Sequence, residues 1–591
     1  MIKKKEETVD LENEFEPRAD YIPEGELREN TAVTDFFEDV QKKLMRSGTH
    51  LIVGPRGCGK THMMRYTWLS CLENQSYPFC IYVTFNRYYR LEPLLKSRSN
   101  AIDLFHVWVL ARILMGLFAT VEEIDRQDSK VKQSSFLDKS LFNKEAIGFG
   151  ENELILLVGK LERNFALSES ENELASSLTI DAVKDVILRL TQLAGRKRAV
   201  LLLDDAALTL TPEYLKEFFD ILRVMKSPYL APKASVYPGT TDYGPRFHPK
   251  QEATEIPLWL DVEDTDYSKI MGKIAACRVA NLDNIPPDVV ELFKYAAFGI
   301  PRSYLQMLHD YQEKPRSTSQ QAFNKIIQDF IEGRRAEFQS LALKVPRFAT
   351  LIKSGEDVFR KMVAEIKKAN DELINKAVAG EKGEIQLRIG IDKETIITYA
   401  ERMFRLLIEA GLLFEKSEVS HGTDRKYRRY IPHLAALLQV RAFSGASRGM
   451  SPGQIVDILK QTAAKHPVRR SLQNLMGSTE LNNLGFDTPP CNSCGTKRLR
   501  DDQKFCHACG TELVDSSTYS HCMSISLDTV PNITEYQRNQ IKKDLPNLRT
   551  IGDILVYQDP GSELRRAYGI GPVKATRILE SVTRFVDEFL Y

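Results

Sequence analysis

Short apolar runs alternate with longer helical stretches over the first 265 residues. His50–Val53, Phe79–Thr84, Ala199–Leu203 and Ala234–Tyr237 are brief and rich in Val, Ile, Leu and Tyr. Runs of this length divided by helices predict an α/β fold with a parallel sheet buried between helical layers. The most apolar stretch, Leu104–Ala119, is short and carries His106 and Arg112. A bilayer span needs about 20 largely uncharged residues, so a buried helix is expected and no membrane partner. Residues 266–345 read as helical, punctuated by Gly299-Ile-Pro-Arg302. Residues 346–440 are helical and then end in two short strands. The span 441–490 reads as a basic linker, 491–515 as a cysteine module, and 525–591 as a small all-α unit.

Composition adds two constraints. With 81 Lys+Arg against 80 Asp+Glu the net charge is +1, which excludes a uniformly basic coat. The balance conceals a local surplus, because six Lys/Arg face one Asp between Arg441 and Thr479. The opening MIKKKEETVDLENEFEPRADY has no apolar core, so a signal peptide is not expected. Nine cysteines then point to a reducing, cytoplasmic setting, where clustered pairs favour metal over disulfides. Cys58, Cys71, Cys80 and Cys277 are scattered and expected to pack as small hydrophobes; the other five lie between 491 and 522.

Gly54-Pro55-Arg56-Gly57-Cys58-Gly59-Lys60-Thr61 fits the phosphate-loop pattern in full, with a strand before it and a helix after it. Glycines let backbone N–H groups curl around phosphates, and the helix N-terminus adds partial positive charge. Lys60 is expected on the β/γ-phosphates of ATP and Thr61 on Mg²⁺. Ala199–Asp205 (AVLLLDD) delivers two carboxylates at a strand end, where such sheets bind ligands. Asp204 is assigned to the Mg²⁺ shell and Asp205 to polarising the attacking water. A solvated acidic strand end is the competing reading. Met64, Trp68 and Cys71 fall on one helical face, suited to packing on the sheet. Arg246 is weighed as an arginine finger for a neighbouring subunit and Arg302 as a nucleotide contact from the lid, each against an ordinary structural arginine. Thr240 and Thr241 are weighed as γ-phosphate sensors against a simple turn.

Three further patterns follow. A helix bearing Ile397, Met403, Leu406, Leu407 and Ala410 stops at Gly411, and a hairpin around His421–Asp424 carries Arg425, Lys426, Arg428 and Arg429 interleaved with Tyr427 and Tyr430. This is a winged-helix arrangement suited to DNA phosphates, with a protein-contacting wing as the alternative. Cys491-x-x-Cys494 and Cys506-x-x-Cys509, each followed by Gly, fit a closed four-thiolate structural Zn²⁺ site; a redox pair is the alternative. His507, His521 and Cys522 are expected as bystanders. Finally, Leu564–Ala575 places Gly569, Gly571 and Lys574 in a Gly-Ile-Gly turn between helices, similar to a helix-hairpin-helix, with Asn547–Leu555 as a degenerate partner. A plain helical bundle is the bland reading.

The order phosphate loop, AVLLLDD, polar strand end, GPRF, GIPR and winged helix resembles AAA+ ATPases of the origin-recognition/replication-initiator type, over roughly residues 15–440. Tyr21–Val33 is similar to the box that borders the adenine in that group. The resemblance implies a P-loop sheet with a helical lid, a homo- or hetero-oligomer formed through the ATPase core, and ATP-dependent engagement of DNA. Asp205 departs from the usual Glu. An Asp-Asp ending also occurs in related signal-transduction ATPases with numerous domains, so rapid hydrolysis and a slow signalling or defence switch both stand.

Overall fold

The computed structural model describes residues 19–85, 88–131, 150–205, 212–313, 319–378, 385–422, 425–444, 450–460, 468–499, 503, 505–511, 513, 518–557 and 559–590. Residues 1–18 of the opening segment, in which no signal peptide is expected, and the hairpin tip at 423–424 lie outside the described residues.

The first sheet contains β1 (His50–Val53), β2 (Phe79–Thr84), β3 (Ala199–Asp204), β4 (Leu230–Val236) and β5 (Thr254–Pro257), in the order β2-β3-β4-β1-β5. Every pairing is parallel. β5 escaped the sequence reading because it is an edge strand with only Ile256 buried and a proline at its end. β4 starts earlier than its apolar run because Lys233 interrupts that run. Lys233 is nevertheless buried, its Nζ donating to Arg46 O at 2.7 Å and Gly48 O at 2.5 Å. Burial brings its pKa down to about 7.

Side chains alternate between two cores, as the period of two requires. Ile81, Leu201, Leu203 and Ala234 face the helices Ala101–Val131, Glu151–Glu162, Ile180–Leu193 and Pro212–Met225. Ile52, Val200, Leu202 and Ala231 face the helices Asp35–Met45 and Lys60–Glu73, where Met64, Trp68 and Cys71 are buried. Among the described residues one helix, Ala101–Arg126, is long and apolar enough to cross a membrane, but 67% of its apolar window is buried within the protein. Gly116 lets it close on β2, since a Cβ there would stand 2.6 Å from Tyr82 O. Within 150–193, the helices Glu151–Glu162 and Ile180–Leu193 cover this face of the sheet.

A second body begins at the lid. The helices Tyr267–Arg278, Pro287–Ala296, Pro301–Glu313, Ser319–Lys344 and Ala349–Val378 share one continuous apolar core with the sheet β7-β8-β6-β9. Its strands are β6 (Ile389–Asp392), β7 (Leu413–His421), β8 (Arg425–Pro432) and β9 (Val468–Arg470). A single helix, Thr398–Glu409, stands between β6 and β7, preceded by a 3₁₀ turn.

The expected linker at 441–490 is a correction. It supplies the helix Pro452–Lys460 and β9, which pairs with β6, and it buries Val456, Leu459, Leu472 and Leu475 in the same core. Part of its basic surplus is paired internally: Arg470 Nε donates to Glu365 at 2.9 Å, and Lys460 lies 3.3 Å from Glu291. Lid and wing sheet are thus one packed unit. The tail has its own core, including Ile541, Ile551, Leu564, Ile570 and Val582, and meets the ATPase sheet unit where Tyr519 N–H donates to Glu92 at 3.2 Å.

Candidate nucleotide site and outlying modules

Because β4 lies between β1 and β3, three features converge at one sheet edge: the loop after β1, Asp204 at the tip of β3, and the residue following β4. Gly57 (φ +84°) and Gly59 (φ +98°) occupy the left-handed region that the loop requires. Gly59 immediately precedes the Lys60–Glu73 helix, whose first-turn N–H groups open on the site. Lys60 is buried, with Nζ donating to Gly54 O at 2.7 Å and Pro55 O at 3.1 Å. Burial lowers its pKa, against the pull of Asp205 and Asp204.

Asp204 is buried and accepts from Tyr82 O–H at 3.0 Å. Asp205 adopts φ +52°, a left-handed conformation that Asp tolerates better than most residues. Its N–H donates to Ser235 Oγ at 2.8 Å, which fixes the turn. Tyr237, the residue after β4, lay at the end of a predicted strand but had no assigned role. Its ring centroid is 4.0 Å from Lys60 Nζ, and its hydroxyl is 3.4 Å from Asp205 Oδ1. The strand order, which a single sequence does not reveal, is what puts it there.

Lys60, Thr61, Asp205, Tyr237 and Arg302 line one cleft of about 1120 Å³, solvent at its mouth included. One wall comes from the N-terminal box, with Thr31, and from the helix Asp35–Met45 after it, with Phe36 and Phe37; the lid contributes Ile270, Ile274 and Leu305. The site therefore lies on the seam between the two bodies. Arg302 joins them directly, its N–H donating to Gly57 O at 3.3 Å. His62, also on the cleft, lies 2.7 Å from Thr31 Oγ1, and burial lowers its pKa to about 4.

Other expected residues fall elsewhere. Arg246 is exposed, pairs with Asp220 at 2.9 Å and does not line its own chain's cleft. Thr240 and Thr241 do not line it either. Thr240 Oγ1 donates to Glu409 Oε1 at 2.9 Å, and Thr241 Oγ1 accepts from Tyr237 N–H at 3.0 Å. In the wing, Arg425 and Lys426 are exposed. Arg428 is held between Glu401 (3.5 Å) and Glu418 (3.4 Å), while Arg429 donates to Ser417 O at 2.9 Å. These last two are engaged within the fold, contrary to the free basic row expected. In the tail, Gly569 has φ +76°, Lys574 donates to Gly569 O at 2.9 Å, and Tyr568 N–H donates to Asp544 at 2.7 Å.

The four cysteine Sγ atoms of 491, 494, 506 and 509 lie within 4.8 Å of one another. The Cys491–Cys509 and Cys494–Cys506 sulfurs are each 3.5 Å apart. Four thiolates around Zn²⁺ at about 2.3 Å stand about 3.8 Å apart, so the cluster fits that ion. Each knuckle turns at a left-handed glycine, Gly495 and Gly510, both at φ +70°. Thr511 hydroxyl and backbone contacts lower the Cys509 thiol to about 6, which favours the ligating thiolate. His507 is exposed and outside the cluster, and Cys522 is buried in the tail core.

The family model described as ORC-CDC6-like matches residues 26–382. Among solved structures, a Walker-type ATPase of Pyrococcus abyssi is 14% identical, covering 69% of this chain and 95% of that one, with a TM-score of 0.32. The Aeropyrum pernix ORC1 protein in complex with DNA is 14% identical, covering 70% and 94%, at 0.27. The Aeropyrum pernix ORC2 protein is 13% identical, covering 75% and 97%, at 0.30. No curated protein matches the chain. The matched span exceeds half of the 591 residues and contains the phosphate loop, both strand-end aspartates and the lid, and the chain belongs to the ORC-CDC6-like family of AAA+ ATPases.

Proposed function

We propose that the protein binds Mg·ATP in the seam cleft and couples its binding and hydrolysis to engagement of DNA. The observation that carries this reading is the cleft itself, where the phosphate loop and Asp205 of one body meet Arg302 of the other, with Asp204 next to Asp205 but outside the lining. ATP across that seam ties the position of the lid and wing body to the state of the γ-phosphate. Lys60 would hold the β/γ-phosphates, Thr61 and Asp204 the Mg²⁺, and Asp205 the attacking water. Mg²⁺ would supply charge neutralisation between the phosphates. Arg425 and Lys426 on the wing, with Gly569, Gly571 and Lys574 in the tail, are the proposed DNA contacts, made through phosphates and shape. The four cysteines would hold a structural zinc, and assembly with further subunits would use the ATPase core, with Arg246 exposed for a neighbour's site.

The test is ATP turnover with and without duplex DNA, for the wild type and Lys60→Ala. Turnover indifferent to DNA, together with no salt-sensitive DNA binding, would overturn the reading. A second reading, a slow ATP-controlled switch, is favoured by the shorter Asp205 and by the Thr398–Glu409 helix. That helix exposes only Thr398 and Arg405 and so offers little surface to a DNA groove. ATP-dependent assembly with negligible turnover would select the switch.

A further inference from the structure

The end of the Thr398–Glu409 helix is wedged against all three parts of the nucleotide site. A Cβ at Gly411 would stand 2.8 Å from Ile300 Cδ1 of the lid and 3.8 Å from Pro55 Cβ of the phosphate loop. A Cβ at Gly239, just beyond β4, would stand 2.7 Å from Leu406 Cα and 2.8 Å from Leu406 N. At this junction Glu409 is buried, and its carboxylate accepts from Gly239 N–H at 2.8 Å, Thr240 N–H at 2.7 Å and Thr240 Oγ1 at 2.9 Å. Arg402, about two turns earlier, donates to Thr241 O and Thr240 O, both at 3.3 Å.

The placement is unfavourable for a helix alone. A carboxylate in the last turn opposes the helix dipole, and its burial costs more unless it is hydrogen-bonded. The three donors that offset those costs all belong to the other body. The held segment leads straight to the chemistry: Thr241 Oγ1 accepts from Tyr237 N–H, and Tyr237 covers Lys60 and touches Asp205.

We propose that Glu409 is a positioning residue that latches the wing-bearing body onto the segment after β4 and restrains turnover while the latch is closed. Thr240 and Gly239 are committed to Glu409, so Tyr237 is kept over Lys60. A γ-phosphate drawing Lys60 away from Gly54 O and Pro55 O must displace that ring and strain the latch. Loosening the latch in turn eases the approach of ATP to the reacting geometry. The inference rests on the ATP-binding reading above.

The experiment uses the full chain. Wild type, Glu409→Gln and Thr240→Val are compared for Mg·ATP binding, for kcat and KM, and for amide exchange across residues 237–243. Glu409→Gln places an amide against two N–H donors, while Thr240→Val removes only the hydroxyl bond. The latch predicts that kcat rises about five-fold or more in Glu409→Gln and by less in Thr240→Val. KM should stay nearly constant, and amides 237–243 of the wild type should exchange faster with a non-hydrolysable Mg·ATP analogue than with ADP. A parallel fall of kcat and thermal stability would make Glu409 a mere structural prop and overturn the proposal. Unchanged kcat in both variants would do the same. If the wild type fails to bind Mg·ATP, both readings fall; if it binds and the variants match it, the latch alone falls.

Discussion

Gly239→Ala probes the seam without touching a charged group. A Cβ there would sit 2.7 Å from Leu406 Cα and 2.9 Å from Arg405 C, and these are backbone atoms that no rotamer change can move aside. Gly239 has no left-handed φ, so the substitution adds little intrinsic backbone strain. Reaching ordinary contact at about 3.4 Å requires roughly 0.7 Å of separation between helix and strand end. Carried along the Glu409 bonds of 2.7 and 2.8 Å, that shift takes them to about 3.5 Å, where a hydrogen bond has largely gone. That separation relieves the overlap and sacrifices the two bonds, each worth about 1.5–3 kcal/mol because the acceptor is charged. Docking of the two bodies should therefore weaken by about 3–6 kcal/mol, while each body keeps its own core. Hydrogen exchange read on peptides spanning 237–243 should accelerate about a hundred-fold or more, with β1 to β4 unchanged. Unaltered exchange at 237–243, or a loss of protection spread evenly over the sheet, would refute the reasoning.

Other outcomes follow from the same structure. Arg302→Ala removes one of the two lid arginines that line the cleft while leaving its backbone bond to Gly57, so ATP affinity should fall about ten-fold or more in equilibrium titration, with unchanged thermal stability. Tyr237→Phe keeps the ring over Lys60 and loses the hydroxyl's contact with Asp205, so steady-state kinetics should show altered kcat with little change in nucleotide affinity. His62 stays neutral to about pH 4 in the fold, whereas its ordinary value is 6.5. Between those values the unfolded chain binds the proton that the native state refuses, so stability should fall as pH drops from about 6.5 to about 4, by at most about 3 kcal/mol from this group. Denaturation measured against pH in His62→Gln should be flatter across that window. Zinc removal by a chelator should unfold residues 491–511 in exchange experiments and leave the nucleotide cleft intact, because the cysteine knuckles contribute no residue to it.

Local features were legible where one stretch of chain makes the whole statement. The phosphate loop, the AVLLLDD strand end and the paired cysteines each declare their chemistry by spacing alone. β1 and β2 were evident because nearly every residue of each is buried, even though β2 stands at the sheet's edge. The seam was not evident, because it depends on residues far apart in sequence. Tyr237 gains its place from β4 lying between β1 and β3, and Glu409 meets Thr240 only after the wing body has folded back. The 441–490 stretch misled for a related reason: its basic residues read as a solvated linker, whereas Lys460 and Arg470 pair with acids on other elements and Val456, Leu459 and Leu472 are buried between them. The same applies to Arg428 and Arg429, whose partners Glu401, Glu418 and Ser417 become neighbours only across the β7–β8 hairpin and its preceding helix.

The most direct test of the central claim is equilibrium titration of Mg·ATP into the 591-residue chain and its Lys60→Ala variant. The account predicts saturable binding at one site per chain in the wild type, lost by about a hundred-fold or more when the buried ammonium is removed from the cleft. Equal binding by the two proteins, or none by the wild type, would contradict it.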